Sequence, residues 1–340
     1  MNILTVDCGT TNSRAYVVTE SGVIRGKGTR PVGVRDTATS GSRATLETGI
    51  DAACADALRD AHLTMSDISF AISSGMITSE LGLVELPHLE APVRAEDLAA
   101  NLTRVDPLKP FPDTLPVYFV RGIKNRADWS SVTRAQVGLL DFMRGEEAQV
   151  CGMLSQKIAV APVTVVILSS HTKFISIDHS GAIRGSITTL SGQIYSAILA
   201  ETSIGKSIEG PAGAVLPPLD TKIVREAYDW THEAGLLRSL LMTRFMDVLI
   251  STEWHERKLF VEAAIAAADL QAMSQFSRMG LEKNTAFVLV GDPHRCALYE
   301  YLLTEVMGVT LPISVVSDIR EIDSLSIHGV LDLAARAEIL

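Results

Sequence analysis

Two short polar turns, each between apolar strands, contain the residues best suited to bind phosphate. The first follows the strand at 3–6 and reads Asp7-Cys8-Gly9-Thr10-Thr11-Asn12-Ser13-Arg14. Backbone N–H groups and hydroxyls in such a turn can bind phosphate oxygens, and the carboxylate of Asp7 can hold Mg²⁺ through water. The alternative is an ordinary hairpin turn with an Asx-type hydrogen bond, which Asp-x-Gly sequences commonly form.

The second turn, Ser169-Ser170-His171-Thr172, lies in a copy of the same pattern. Residues 164–189 repeat the strand, turn, strand order of residues 2–28, and the hexamer Ser-Gly-Val-Ile-Arg-Gly at 21–26 returns 159 positions later as Ser-Gly-Ala-Ile-Arg-Gly. At the same offset, Thr10-Thr11 falls on Ser169-Ser170 and Arg14 falls on Lys173. The pattern predicts an internal duplication, and two phosphate turns suit a nucleoside triphosphate.

A duplicated unit of this kind predicts two α/β domains that face each other across a cleft, with one turn from each domain pointing into it. Small-molecule sites favour such domain interfaces. We expect domain 1 to span residues 1–155 and domain 2 to span residues 156–340. Periodicity predicts helices over 43–62, 192–204, 221–246 and 256–279 and after Pro293, strands over 68–73, 115–120, 286–290 and 312–316, and a proline-rich loop at 105–116.

Paired carboxylates occur where Met143-Arg144-Gly145-Glu146-Glu147 leads into a helical apolar pattern. Acidic residues in a first turn are favoured by the helix dipole, so they need no further function. The alternative is a general base that a rigid helix start holds in place. Spacing alone favours the first interpretation.

Two further positions have two interpretations each. Gly291, at a junction of strand and helix, either lets a ligand approach the backbone or caps the helix. His171, beside Lys173, either binds an anionic substrate or is a structural group of its turn. The residue types do not decide between these alternatives.

The amino-acid composition limits the classes of protein to which this chain can belong. The chain has 340 residues, 47% hydrophobic and 21% charged, with a net charge of −10. Such a chain builds large cores and is neither disordered nor fibrous. The acidic balance argues against a nucleic-acid or membrane-surface protein, although it is compatible with a local basic patch.

No basic and apolar leader opens the sequence, and no apolar run reaches the ~18 residues of a membrane span. The four cysteines, at positions 8, 54, 151 and 296, never form a Cys-x-x-Cys pair. We therefore expect reduced thiols in a cytoplasmic protein.

Five motifs, in this order along the chain, resemble those of the 2-dehydro-3-deoxygalactonokinase family, sugar-acid kinases of the actin/hexokinase/Hsp70 ATPase superfamily. The motifs are Asp7-Cys8-Gly9-Thr10-Thr11-Asn12-Ser13-Arg14-Ala15, Gly75-Met76-Ile77-Thr78-Ser79, Met143-Arg144-Gly145-Glu146-Glu147-Ala148-Gln149, Ser169-Ser170-His171-Thr172-Lys173-Phe174 and Thr188-Thr189-Leu190-Ser191-Gly192-Gln193. The resemblance is strong over about 1–200 and weaker over 240–335.

The resemblance implies two ribonuclease-H-like domains, ATP and Mg²⁺ as cofactors, and phosphoryl transfer to a 2-keto-3-deoxy sugar acid, with 2-dehydro-3-deoxy-D-galactonate as the expected substrate. It implies Glu146 as the catalytic base, against the interpretation that spacing favours, and Asp7 as the metal ligand. The residues implied to bind the nucleotide are Gly9, Thr10, Thr11, Ser170, Thr172 and Gly291. The polar or substrate-side candidates are Asn12, Arg14, Met76, Arg144, His171 and Lys173. For Arg14, His171 and Lys173 the partner, substrate carboxylate or phosphate, stays open.

The chain also departs from the family pattern. Ser169 and Ser251 replace glycines, Cys8 and Phe174 replace tryptophans, and Ala148 replaces a threonine. The Cβ of Ser169 could restrict the approach of the β- and γ-phosphates. The alternative function is therefore a non-catalytic sensor of sugar acids or nucleotides on the same fold. The expected partners are the sugar acid and ATP, without nucleic acid or membrane, and a homodimer is left open.

Overall fold

The chain forms both strands and helices, as seen in a computed structural model that describes residues 1–282 and 285–340. The strands are β1 Asn2–Cys8, β2 Ser13–Thr19, β3 Ile24–Arg30, β4 Phe70–Gly75, β5 Leu89–Glu90, β6 Thr103–Arg104, β7 Val117–Phe119, β8 Ile123–Lys124, β9 Phe142–Met143, β10 Val163–Leu168, β11 Thr172–Ile177, β12 Ile183–Thr189, β13 Ala286–Gly291 and β14 Ile313–Val316.

The α-helices are α1 Val34–Ser40, α2 Ala44–Asp60, α3 Ala95–Ala100, α4 Glu146–Ser155, α5 Ser191–Glu201, α6 Ser203–Ile208, α7 Thr221–Ala234, α8 Leu236–Val248, α9 Trp254–Ala272, α10 Pro293–Tyr301 and α11 Ile319–Arg336. Short 3₁₀ turns occupy Met65–Asp67, Met76–Thr78, Arg134–Leu139 and Met273–Met279, and a π-helical turn follows α10 at Leu302–Val306.

The first sheet has the order β3-β2-β1-β4-β7-β6. Strand β1 is antiparallel to β2 and parallel to β4, so Asp7 lies opposite Arg14 on one side, and Cys8 lies opposite Gly75 on the other. The strand pairing therefore brings the turn after β1, residues 9–12, and the end of β4 to one edge of this sheet.

The second sheet has the order β12-β11-β10-β13-β14. This is the order of β3-β2-β1-β4-β7 in the first sheet, strand for strand, which confirms the predicted duplication and the α/β class. Strands β10 and β13 are parallel and pair Leu168 with Gly291. A small third sheet has the order β5-β8-β9.

The chain divides into two compact units. Unit 1 comprises residues 1–162, 177–186 and 319–340, and unit 2 comprises residues 163–176 and 187–318. Helix α11, near the end of the chain, thus belongs to unit 1. The boundary that we predict between residues 155 and 156 stays a prediction, since each unit takes residues from the C-terminal side of it.

Each unit has its own apolar core. In unit 1, β1, β2 and α2 contribute fully buried side chains such as Leu4, Val17 and Ile50. Helix α2 can lie close to β3 because β3 carries Gly28 at the contact, where a Cβ would overlap the Ala53 carbonyl oxygen. In unit 2, the core joins β10, β11 and β13 to α7, α9 and α10 and includes Phe174, Phe260, Phe287, Leu289 and Tyr299.

Two predicted helices are wrong in detail. The helix predicted over 221–246 is two helices, α7 and α8, which Gly235 separates with φ 80°. Glycine is favoured there because side-chain-bearing residues rarely adopt positive φ. The helix predicted over 256–279 ends as an α-helix at Ala272 and continues as a 3₁₀ turn to Met279.

The remaining predicted elements are confirmed within one to three residues at each end, and residues 105–116 form no helix or strand. All four cysteines are buried and free. No helix among the described residues is long and apolar enough to cross a bilayer.

Candidate active site

Charged side chains surround the end of β1 in unit 1. Across the β1–β2 pair, Arg14 Nη1 lies 3.6 Å from Asp7 Oδ2. Arg14 Nε lies 3.9 Å from Asp323 Oδ1 of α11, and Lys27 Nζ contacts the other oxygen of Asp323 at 2.6 Å. The guanidinium of Arg14 therefore lies between two carboxylates.

By number, three acidic groups, Asp7, Glu146 and Asp323, lie here with two cations, Arg14 and Lys27. Burial raises the pKa of the Asp7 carboxyl to about 6, Arg14 opposes this rise, and the carboxylates of Glu146 and Asp323 add to it. Such an excess of negative charge, with an oxygen ligand at its centre, suits a hard divalent cation. Within the described ranges, no three His, Cys, Asp or Glu side chains form a metal cluster.

Two glycines bring Glu146 to this same place. Gly145 is the N-cap of α4 with φ 108°, and a Cβ on it would lie 3.2 Å from the Cα of Gly75. Gly75 has φ 90°, and a Cβ there would lie 3.0 Å from Asp7 Oδ1. The start of α4 thus packs on the end of β4 beside Asp7. The Oε2 atom of Glu146 is buried and has no hydrogen-bond partner in the described part of the chain.

The neighbouring Glu147 differs from Glu146 in burial and in contacts. Its side chain is fully buried, and both of its carboxyl oxygens lie 2.8 Å from the Gly145 nitrogen, which donates to them. Burial and the charge of Glu146 raise the pKa of Glu147 to about 8. Glu147 is thus bonded to its own helix start, whereas Glu146 keeps a vacant acceptor.

Arg144 and Met76, both predicted to face the substrate, have neighbours within unit 1. Arg144 donates to Thr78 Oγ1 and to the Leu86 carbonyl oxygen, each at 2.7 Å. Met76 is half-buried against the core of unit 1. These contacts fix the segment after Gly75, and the predicted role of both side chains toward the sugar acid stays a prediction.

The first phosphate turn, residues 9–12, joins β1 to β2. The Gly9 N–H donates to the Asn12 carbonyl oxygen at 2.8 Å, and the carbonyl oxygens of Gly9 and Thr10 accept from the first two residues of α1. Asn12 Nδ2 donates to Thr11 Oγ1 at 3.0 Å. Among the described residues, the N–H groups of Thr10 and Thr11 have no acceptor, so the turn can donate to an anion.

The second phosphate turn, residues 169–172 of unit 2, is stabilised by Arg295, a residue that the sequence pattern did not indicate. Ser169 Oγ donates to the His171 carbonyl oxygen at 2.9 Å, and Ser170 Oγ lies 3.3 Å from His171 Nδ1. Arg295 of α10 donates to the Ser169 carbonyl oxygen at 2.8 Å and to Thr172 Oγ1 at 2.9 Å. The Ser169 hydroxyl is therefore engaged within its own turn.

Lys173 and Gly291 have close contacts within the second sheet. Lys173 is buried, and its Nζ donates to Thr188 Oγ1 at 2.6 Å. A Cβ on Gly291 would lie 2.8 Å from the Cβ of Leu168, so strand packing itself favours glycine at this position. The predicted contact of Gly291 with adenosine stays a prediction.

A cavity of about 340 Å³ lies in unit 2 beside α10. It is lined by Ser191, Gly192, Tyr195, Leu216, Lys258, Glu262, Ile265, Asp292, His294, Arg295, Leu298 and Tyr299. On its polar wall, Glu262 lies 3.1 Å from His294 Nε2 and 3.9 Å from Lys258 Nζ, and its hydrogen bond raises the pKa of His294. A concave, mixed polar and apolar cavity of this size suits a small organic ligand.

Helix α5 joins this cavity to the second phosphate turn. Arg295 also donates to Ser191 Oγ at 3.0 Å, and Gln193 N–H donates to the Ser170 carbonyl oxygen at 2.9 Å. At Gly192, between them, a Cβ would overlap the Ser169 carbonyl oxygen. The turn, the start of α5 and Arg295 therefore form one contiguous surface at the cavity.

Sequence reasoning missed Glu147 as a buried group and missed Asp323, Arg295 and Glu262. Asp292-Pro293 is a sequence signal for a helix start, so Arg295 could have been placed in a first turn near the strand end. Asp323 and Glu262 come from distant helices, and a single sequence carries no signal of those contacts.

The family model of the 2-keto-3-deoxy-galactonokinases matches residues 7–318. A search of curated proteins finds no match.

Among solved structures, a provisionally assigned 2-dehydro-3-deoxygalactonokinase from Sinorhizobium meliloti is 19% identical, with a TM-score of 0.71 over 99% of this chain and 98% of that one. A ROK family glucokinase from Streptomyces griseus, solved with glucose and AMPPNP, is 12% identical, with a TM-score of 0.45 over 97% of this chain and 99% of that one. The first likeness supports the fold, and the family match covers both halves of the duplication. The chain therefore belongs to the 2-keto-3-deoxy-galactonokinase family of sugar-acid kinases.

Proposed function

We propose that this kinase transfers the γ-phosphoryl group of ATP to a hydroxyl of 2-dehydro-3-deoxy-D-galactonate, with Glu146 as the general base. The observation that carries this assignment is the buried Oε2 atom of Glu146, which has no partner in the described part of the chain. An unpaired buried carboxylate oxygen is costly, and a substrate hydroxyl would satisfy it.

In the proposed reaction, Glu146 accepts the proton of the substrate hydroxyl as its oxygen attacks the γ-phosphorus. The bond from the γ-phosphorus to the bridging oxygen breaks, and ADP leaves with the bonding electrons. Phosphoryl transfer of this kind depends mainly on positioning and on stabilising charge at the phosphate oxygens. The rigid start of α4, packed on Gly75, suits the positioning requirement.

Asp7 fits the metal that the family implies. Burial and, to a smaller extent, the nearby Glu146 and Asp323 raise the pKa of its carboxyl, and a divalent cation would relieve the repulsion among these acids. Bound with ATP, Mg²⁺ supplies charge neutralisation at the β- and γ-phosphate oxygens. Arg14, 3.6 Å from Asp7, orients this carboxylate.

We assign the two turns to the phosphates. The N–H groups of Thr10 and Thr11 and the turn that begins at Gly9 would donate to phosphate oxygens in unit 1. Ser170 and Thr172 would do so in unit 2, where Arg295 adds a positive charge beside them. Oriented N–H groups and one cation can attract an anion despite the net charge of −10.

The cavity of about 340 Å³ beside α10 would receive the nucleoside of ATP. Support comes from its contact with the second turn through Arg295, which would put base and phosphate on one surface. Asn12, Arg14, His171 and Lys173 remain the candidates for the sugar acid or a phosphate. ATP as a substrate and four free, buried thiols support a cytoplasmic location.

The test is ADP release by the purified chain with MgATP and a panel of 2-keto-3-deoxy sugar acids, followed by mass spectrometry of the product. We expect substrate-dependent ADP release and a phosphorylated sugar acid. Thermal stabilisation by the same ligands without turnover would contradict the proposal and favour the non-catalytic sensor. None of the features described above favours the sensor over the kinase.

A further inference from the structure

We propose that Glu147 is a positioning residue, which holds the Gly145 turn and thereby fixes the carboxylate of Glu146. This inference rests on the proposed function, because it takes Glu146 to be the base. It assigns a role to a buried acid that the phosphoryl-transfer chemistry does not use.

The burial of Glu147 is unusual for a glutamate in a first helical turn. Such residues normally remain in solvent, where the helix dipole stabilises them by under about 1 kcal/mol. Here the side chain is 0% exposed, and no Lys or Arg in the described ranges forms an ion pair with it. Both of its oxygens instead lie 2.8 Å from the Gly145 nitrogen. Buried carboxyl groups without an ion pair are rare, so this one has a specific task.

That task follows from the position of Gly145. As an N-cap, Gly145 has no side chain that can cap α4, and its φ of 108° is a conformation that only glycine adopts freely. The Glu147 carboxyl is thus the side chain that fixes the orientation of the Arg144–Gly145 peptide, which leads into Glu146. If that peptide turned, the Glu146 side chain would leave the end of β1.

Burial, together with the charge of its neighbours, supports a neutral Glu147. Arg144, Glu146 and the buried thiol of Cys151 are the titratable groups that act on it, and burial outweighs Arg144. A protonated Glu147 still accepts the Gly145 N–H through one oxygen. It adds no second negative charge next to the base or to the anionic substrates.

A double-mutant cycle in the full-length chain tests the inference. Glu147→Leu keeps the volume and removes the acceptor, and Glu147→Gln keeps one acceptor. We expect Glu147→Leu to lower kcat by at least about tenfold, as misplacement of a catalytic group does, with KM for ATP within about twofold. Glu147→Gln should stay within about threefold of wild type. Glu47→Gln, in the first turn of α2, is the matched control and should leave kcat unchanged.

The decisive measurement is the kcat of Glu147→Leu in a Glu146→Gln background. If Glu147 acts through Glu146, Glu147→Leu lowers the residual kcat of Glu146→Gln no further, because the group that it positions is gone. An equal fold-loss in both backgrounds would overturn the inference and show a general structural role, as would wild-type kcat in Glu147→Leu. If the leucine variant does not fold, Glu147→Asp, which withdraws the acid from the Gly145 N–H, enters the same cycle with the same two outcomes. Wild-type kcat in Glu146→Gln would instead contradict the proposed function itself.

Discussion

Gly152 of α4 and Gly329 of α11 lie against each other, so that the two helix backbones touch. A Cβ on Gly152 would overlap the Leu325 carbonyl oxygen, and a Cβ on Gly329 would overlap that of Ala148. Because α4 begins at Glu146, this contact ties the position of the proposed base to a helix from the end of the chain. The same helix carries Asp323, which pairs with Arg14.

The first prediction concerns this helix contact. Gly329→Ala forces α4 and α11 apart, and we expect the free energy of unfolding to fall by about 1–3 kcal/mol, the usual cost of overpacking. Alanine has a better helix propensity than glycine by up to about 1 kcal/mol. A fall in the free energy of unfolding would therefore be due to packing and not to helix propensity. We also expect kcat to fall, since α4 moves. Urea unfolding and steady-state kinetics measure both, with Ala335→Ser on the exposed side of α11 as the control. An unchanged unfolding free energy would contradict the close contact.

The second prediction concerns Gly192, which lets α5 approach the second phosphate turn. Because a Cβ there would overlap the Ser169 carbonyl oxygen, Gly192→Ala should displace the turn and weaken ATP-analogue binding by about tenfold, an overpacking cost of about 1–3 kcal/mol. Calorimetric titration with the analogue measures this. Glu201→Gln, at the exposed far end of α5, is the control and should bind as wild type does. Equal affinity in Gly192→Ala would remove this turn from the nucleotide site.

The third prediction addresses Ser169, where the resemblance to the family implies a glycine. Its hydroxyl donates to the His171 carbonyl oxygen, and its carbonyl oxygen accepts from Arg295, so the side chain is directed into its own turn. We expect Ser169→Gly to change KM for ATP by no more than about threefold, the scale of one weak hydrogen bond. A fall in KM of more than about tenfold would show that the Ser169 side chain obstructs the phosphates.

The fourth prediction is a pH dependence of stability. The pKa of Glu147 is about 8 in the folded chain, against an ordinary value of 4.5. Between these values the folded state keeps a proton that the unfolded state releases, so stability falls as pH rises, by up to about 1.4 kcal/mol per pH unit. Asp7, whose pKa is raised to about 6, adds a similar slope only below that pH.

Between about pH 6 and pH 8, therefore, Glu147 contributes more than Asp7 does to the change of the unfolding free energy with pH. Urea unfolding across this window should show a shallower decline for Glu147→Gln than for wild type. The same slope in both proteins would mean that the folded chain holds Glu147 ionised.

Local chemistry explains why much of the fold was predictable. The hairpins β2–β3 and β11–β12 each contain one copy of the hexamer, at 21–26 and 180–185, and this repeat indicated their equivalence, which the strand orders confirm. The break between α7 and α8 had a signal too, since Gly235 interrupts the helical pattern. A glycine inside a helix usually only weakens the helix. Here the positive φ of Gly235 ends α7.

Long-range contacts were not predictable from one sequence. The contact between Gly152 of α4 and Gly329 of α11 and the Arg14–Asp323 pair both join residues that are far apart in the sequence. Nothing local distinguishes Glu147 from Glu146, although their surroundings differ completely. Arg295 likewise gains its contacts with the second turn only when β10 and β13 pair.

The central claim, that Glu146 is the base for phosphoryl transfer, is tested most directly by Glu146→Gln. Glutamine keeps the size of glutamate and one acceptor oxygen, but it cannot accept the proton. We expect kcat for sugar-acid phosphorylation to fall by at least about a hundredfold, the usual contribution of a general base, while the ATP-analogue Kd stays within about twofold. A Glu146→Gln enzyme with wild-type kcat would contradict the account.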